Sequence, residues 1–145
     1  MSGPLVCVDA SVVVALVSPE TLSDQAEKLW RSLTKQKAQA LAPSLLIYEV
    51  TSALRRKAAR SLISAKDAQE ALIKTLSLDI LFVDSPKLAI AAFKLASRFN
   101  RLAAYDMFYL ALAEKVSEFW TADQHLYNAC VQQGWSTVRW LGNMS

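Results

Sequence analysis

Short, unbroken apolar runs recur along this chain, and segments with helical spacing of apolar residues lie between them. That alternation constrains the fold more than any other feature. A strand whose sheet is covered by helices on both sides has no wet face, so it reads as a continuous apolar run. Leu5-Val6-Cys7-Val8 is such a run, and residues 38–42, 80–83, 119–121 and 136–141 are the other predicted strands. Helices are predicted over residues 11–17 and 20–37, the second with Ala26, Leu29, Trp30 and Leu33 on one stripe and charges opposite. Pro43 opens the next helix, at a position proline tolerates, and that helix ends in Arg55-Arg56-Lys57-Ala58-Ala59-Arg60. Ser64 caps another, Ser85-Pro86 starts one reaching about residue 99, and residues 104–116 and 124–133 follow, the last stopped by Gly134. Strands and helices in alternation give an α/β/α sandwich around a mostly parallel sheet, with right-handed crossovers.

A chain of 145 residues, 53% of them hydrophobic, suits one domain spanning residues 1–145. Three glycines and four prolines are too few for a turn-rich β sandwich or a disordered chain. The formal charge of +3 is too small to coat nucleic acid by charge alone, so any nucleic-acid site must be local. Cys7 and Cys130 lie in apolar stretches without metal-binding spacing and read as buried, reduced thiols. Asp9 interrupts the only run that resembles a secretory signal, and no uncharged stretch approaches the ~20 residues that span a bilayer. A cytoplasmic protein without a membrane partner is expected.

Most acids occupy polar helix faces and first turns, as Glu27, Glu70 and Glu114 do, but four stand among apolar residues. Asp9 ends the first strand and Asp123 follows the fourth. Glu49 is embedded in Leu45-Leu46-Ile47-Tyr48-Glu49-Val50, and Asp106 lies in Tyr105-Asp106-Met107-Phe108-Tyr109. A carboxylate in such surroundings needs a cation or hydrogen-bond donors, and no basic residue lies within three positions of any of the four. A bound metal answers that need. Ordinary alternatives stay open: Asp9 and Asp123 as helix caps, and Asp106 as a complement to a helix dipole. Asp79 and Asp84 flank the third strand, with Asp84 placed for helix-start chemistry before Ser85-Pro86. In open α/β sheets ligands bind at the carboxyl ends of the strands, where Asp9 and Asp123 fall.

Other chemistries fit less well. His125 is the only histidine, and no nucleophile-elbow serine accompanies it. A haloacid-type phosphotransferase would need an acid two residues after Asp9, where Ser11 stands.

Val8-Asp9-Ala10-Ser11-Val12, Pro43 with Tyr48-Glu49-Val50, Tyr105-Asp106 with Tyr109-Leu110-Ala111-Leu112-Ala113, and Thr121-Ala122-Asp123 with Leu126 occur in that order. Together they resemble the PIN-domain nucleases, and within them the VapC-type toxins of prokaryotic toxin-antitoxin pairs. The resemblance covers essentially the whole chain. It implies a five-stranded sheet in the order 3-2-1-4-5, Mg²⁺ or Mn²⁺ at Asp9, Glu49, Asp106 and Asp123, and endonuclease cleavage of RNA. It also implies a homodimer and neutralisation by a small antitoxin. One departure is the plain Leu102-Ala103-Ala104 before Tyr105-Asp106, where many members place a hydroxyl or glycine to start the helix.

Donors that are all oxygen select hard ions, Mg²⁺ or Mn²⁺, over zinc. Asp9, Glu49 and Asp106 are assigned to a principal ion, and Asp123 to a second ion or an outer water. Ser11 and Thr121 either orient these ligands or cap the adjacent helices. Along the helix carrying Glu49, Arg56 and Arg60 return to the Glu49 face within about 20°, so they are expected to hold RNA phosphates. Arg55 and Lys57 point elsewhere, as a solvated cationic helix end. The competing reading is a catalytically inactive PIN-like module that only binds RNA or protein.

Overall fold

The computed structural model describes residues 3–101 and 103–145, so Leu102 lies outside the described residues. The strands are β1 (Leu5–Val8), β2 (Gln39–Ala42), β3 (Ile80–Phe82), β4 (Glu118–Thr121) and β5 (Val138–Trp140). Their order is β3-β2-β1-β4-β5, and all four pairings are parallel. The sheet is therefore wholly rather than mostly parallel, in the order the family resemblance implies. Between the strands run α1 (Ala10–Val17), α2 (Ser23–Lys35), α3 (Leu45–Ala59), α4 (Ala65–Ser77), α5 (Pro86–Arg98), α6 (Tyr105–Ala113) and α7 (Gln124–Gln132). Helices α1 to α4 pack on one another, α5 packs on α6, and the whole is an α/β/α sandwich.

The central strand explains the continuous apolar reading. Val6, Cys7 and Val8 are all buried, and Leu46, Leu110, Phe119 and Leu126 from the surrounding elements are buried with them. Each side chain of that size contributes roughly 1.5–3 kcal/mol when removed from water. Cys7 and Cys130 are free and buried; burial pushes the Cys7 thiol far up and the Cys130 thiol up to about 12, so both stay protonated. Among the described residues no helix is long and apolar enough to cross a membrane.

Several boundaries differ from the sequence reading, each for a local reason. Helix α2 begins at Ser23 rather than at Glu20, because the Ser23 hydroxyl accepts the Glu20 N–H and holds residues 18–22 as a loop. It stops at Lys35, and Lys37 turns the chain with φ of 56°. Helix α6 ends at Ala113 because Lys115 and Val116 make tighter bonds to Leu112 and Ala113, after which the Ser117 N–H joins the Leu5 carbonyl beside β1. Strand β5 is short because the Trp135 N–H closes the end of α7 on the Cys130 carbonyl. Ser64 caps α4 as expected, its hydroxyl accepting the Asp67 N–H. Asp84 does not cap α5; its carboxylate accepts the Ser44 N–H and ties the end of β3 to the start of α3.

Candidate active site

The strand order reverses between β1 and β4: from β1 the chain builds outward to β2 and β3, and from β4 to β5 on the other side. Such a switch point opens a crevice at the carboxyl ends of the strands. A cleft of about 530 Å³ lies there, lined by Asp9, Glu49, Asp106 and Asp123 together with Ser11, Tyr109 and Arg56. The four acids picked out by their apolar neighbours thus share one cleft, though each has a different environment.

Asp9 is the buried one, 5% exposed. The register that pairs Val8 with Trp120 sets Asp9 beside Thr121 across the two central strands. Its Oδ1 accepts the Ser11 hydroxyl at 2.5 Å and the Val12 N–H at 3.2 Å, and its Oδ2 accepts the Thr121 hydroxyl at 2.6 Å. Each hydroxyl has a single proton, so with both given to Asp9 the 3.3 Å approach of Ser11 to Thr121 is not a further bond. Their lone pairs instead accept the N–H groups of Ala122 at 2.9 Å and Asp123 at 3.0 Å. Neither hydroxyl merely caps a helix: the two join the end of β1 to the end of β4 through one carboxylate. Burial pushes the Asp9 carboxyl up to about 7 despite the bonds from Ser11, Thr121 and Val12, and the Asp106 charge adds to the rise.

Glu49 sits on the second turn of α3, half-buried, and its Oε1 accepts the Tyr109 hydroxyl at 2.5 Å. Burial raises the Glu49 carboxyl, with Tyr109 and Arg56 opposing and Asp106 reinforcing. The Tyr109 phenol is driven far above its usual range by burial and by Glu49, so it remains a donor. Asp106, in the first turn of α6, is also raised by burial; Arg101, 3.9 Å away, opposes and Asp123 reinforces. Cations therefore do stand near two of the four, Arg56 by Glu49 and Arg101 by Asp106, each more than three positions away in sequence. Asp123 is exposed and caps α7 through Oδ1, which accepts the N–H groups of His125 and Leu126 at 2.9 and 3.2 Å. Capping is thus realised at Asp9 and Asp123, but at Asp123 it engages one oxygen only. His125 is exposed and outside the cleft lining.

Among the described residues no three acidic, histidine or cysteine side chains stand close enough to grip one ion together. Each carboxylate is held by its own donor: hydroxyls at Asp9, a phenol at Glu49, a guanidinium at Arg101 for Asp106, amides at Asp123. The donor type still fits a hard divalent cation, since the side-chain atoms of the lining able to ligate a metal are carboxylate and hydroxyl oxygens, with no sulfur or imidazole, and Arg56 stands beside them. Asp9, Glu49 and Asp106 are raised chiefly by burial, with a smaller addition from neighbouring carboxylates, and a cation would favour the ionised form of all three.

On α3, Glu49, Ala53 and Arg56 line the cleft together, while Arg60 is exposed at the helix end, beyond the lining. Lys57 overturns its expectation. It is buried, not solvated, and bonds to Ser18, Pro19 and Glu20. Sequence reasoning also passed over Tyr109, Arg101 and Glu20. Tyr109 was within reach, being three residues after Asp106 on the same helix face. Arg101 and Glu20 meet the site only through loops and gave no periodic signal.

The family model described as PIN domain matches residues 6–131. No curated protein matches the sequence at a significant level. Among solved structures, the chain is similar to VapC20 of Mycobacterium tuberculosis, described as a toxin cleaving the sarcin-ricin loop, at 18% identity and a TM-score of 0.67, covering 86% of this chain and 94% of that one. It is similar to VapBC2 of Rickettsia felis, solved bound to a promoter DNA fragment, at 14% identity and a TM-score of 0.64, covering 86% and 92%. It is also similar to PAE2754 of Pyrobaculum aerophilum, at 27% identity and a TM-score of 0.62, covering 89% and 87%.

Proposed function

The chain belongs to the PIN domain family, and from that premise we propose that it is a Mg²⁺- or Mn²⁺-dependent endoribonuclease, the toxin of a VapBC-like pair. The observation that carries this reading is the meeting of Asp9, Glu49, Asp106 and Asp123 in one cleft at the switch point of the sheet. Asp9, Glu49 and Asp106 would hold the principal ion, and Asp123 a second ion or an ordered water. A divalent cation bound there would lower the pKa of a water nucleophile and stabilise charge on the leaving oxygen. Ser11 and Thr121 fix the two oxygens of Asp9, and Tyr109 fixes one oxygen of Glu49. Arg56 supplies a cation for a phosphate beside the scissile one, with Arg60 farther along the strand. The whole of residues 1–145 would act as one cytoplasmic domain, as a homodimer, held inactive by a small antitoxin.

The test is cleavage of single-stranded RNA and DNA by the purified protein with Mg²⁺, with Mn²⁺ and with chelator. Cutting of RNA alone, lost in chelator and in folded Asp9→Asn and Asp106→Asn variants, is the expected result. Asp123→Asn should lose less, since water can replace an outer acid. Either of the first two variants cutting at the parent rate would remove that residue from the ligand set. Among the described residues no three candidate ligands are drawn together to grip one ion, and that spacing favours a second reading, a PIN-like module that binds RNA or protein without cutting it. Calorimetric titration with Mn²⁺ separates the two, since a pure binding module needs no metal site.

A further inference from the structure

The buried stripe of α3 runs through Leu46, Val50, Leu54 and then Lys57. Eleven residues at ~100° each return position 57 to within about 20° of Leu46, so the stripe leads to an apolar side chain there. A lysine stands in its place, with its side chain 11% exposed. An ammonium has three N–H donors, and its burial is tolerable only if each finds an acceptor. All three do: the Ser18 hydroxyl at 2.9 Å, the Pro19 carbonyl at 2.8 Å and a Glu20 carboxylate oxygen at 3.0 Å. These acceptors are consecutive residues of the loop between α1 and α2, and Glu20, Thr21 and Leu22 form one wall of the cleft that holds Glu49 and Arg56. Among the described residues, the loop's own side-chain bonds, from Ser18 to the Val14 carbonyl and from Ser23 to the Ser18 carbonyl, tie it to α1 and α2. Lys57 is what binds it to α3.

We propose that Lys57 is a positioning residue for the substrate strand, holding the 18–22 wall at a fixed distance from Arg56 and neutralising Glu20 so that a polyanionic backbone can pass between them. This rests on the nuclease reading. Without the ammonium, the wall loses its tie to α3, and Glu20 presents an unpaired negative charge to the phosphates. Both effects weaken substrate binding and leave the acids that carry the chemistry untouched.

The test is Lys57→Met, which keeps the apolar stem, with Lys57→Arg as the conservative variant. On a single-stranded RNA substrate, folded Lys57→Met should raise KM about tenfold with kcat within about twofold of the parent, and Lys57→Arg should recover most of the loss. Amide hydrogen exchange should quicken at residues 20–22 and stay unchanged in α7. If Lys57→Met does not fold, Lys57→Gln, which keeps two N–H donors without charge, carries the same expectation. An unchanged KM, or a kcat loss at unchanged KM, overturns the proposal. If the parent protein cuts no RNA, the nuclease reading fails on its own, and unchanged exchange at residues 20–22 would still overturn the positioning role.

Discussion

Asp9 is held by three donors of one network, the Ser11 and Thr121 hydroxyls and the Val12 N–H, and its two oxygens each take a hydroxyl proton while burial favours the neutral acid. Its folded value of about 7 lies above the ordinary 3.8, so the folded state binds the proton more tightly than the unfolded state. The stability this adds is full below about pH 4 and is lost as pH rises through about 7. Metal-free Asp9→Asn cannot ionise, so in urea denaturation with chelator it should exceed the parent at pH 8, on the order of a few kcal/mol, with the advantage shrinking as pH falls and gone below about pH 4. Parallel pH profiles for the two proteins would show that Asp9 is not the acid that titrates. Tyr109 gives a second test at this scale. Its phenol orients Glu49, so Tyr109→Phe should weaken Mn²⁺ binding by roughly tenfold or more at little cost to the fold. Calorimetry giving the parent affinity would reduce Tyr109 to a packing residue. The four acids were legible because each sits among apolar neighbours. Their partners were less so: Ser11 and Thr121 follow from nearness to Asp9 and Asp123, whereas Arg101 reaches Asp106 from a loop that no periodicity describes.

Helix α3 carries three functions on two faces, and its sequence disclosed two of them. Leu46, Val50 and Leu54 mark the core face, and Glu49 with Arg56 marks the cleft face. Lys57 was misread because a basic run at a helix end is ordinarily a solvated complement to the dipole. Its place on the core stripe was the contrary signal. For the cleft face, Arg56→Ala should weaken binding of unrelated single-stranded RNAs and lower the salt dependence by about 0.7 in the log-log slope. Arg60→Ala should do less than Arg56→Ala, because Arg60 is exposed beyond the cleft lining, and Arg55→Ala less again. Equal losses from Arg55, Arg56 and Arg60 in filter binding across a salt series would describe a diffuse basic end, not a track. Strand positions were readable because burial on both faces leaves continuous apolar runs, and helix ends were less so. Those ends are set by tertiary bonds, such as Trp135 to Cys130 behind α7 and Ser23 beneath Glu20, that no local propensity encodes.

At the scale of the molecule, the cleft is where the chain's most distant parts meet: Asp9 after β1, Glu49 on α3, Asp106 on α6 and Asp123 after β4. An ion shared by these acids would bind the folded chain and not the unfolded one, so it must stabilise the fold by mass action. At a free Mn²⁺ concentration a hundred times the Kd, that is about 2.7 kcal/mol, or a rise in Tm of roughly 5–10 °C for a domain of this size. Protons compete for the same oxygens, since ligating carboxylates must be ionised. Asp9 is pushed up to about 7, and Glu49 and Asp106 are raised by burial, so the rise in Tm should be larger at pH 8 than at pH 6. Asp9→Asn and Glu49→Gln should each abolish most of it, and Asp123→Asn should keep part. A Mn²⁺-induced rise that survives both Asp9→Asn and Glu49→Gln in thermal scans would place the ion away from this cleft, and with it the proposed chemistry.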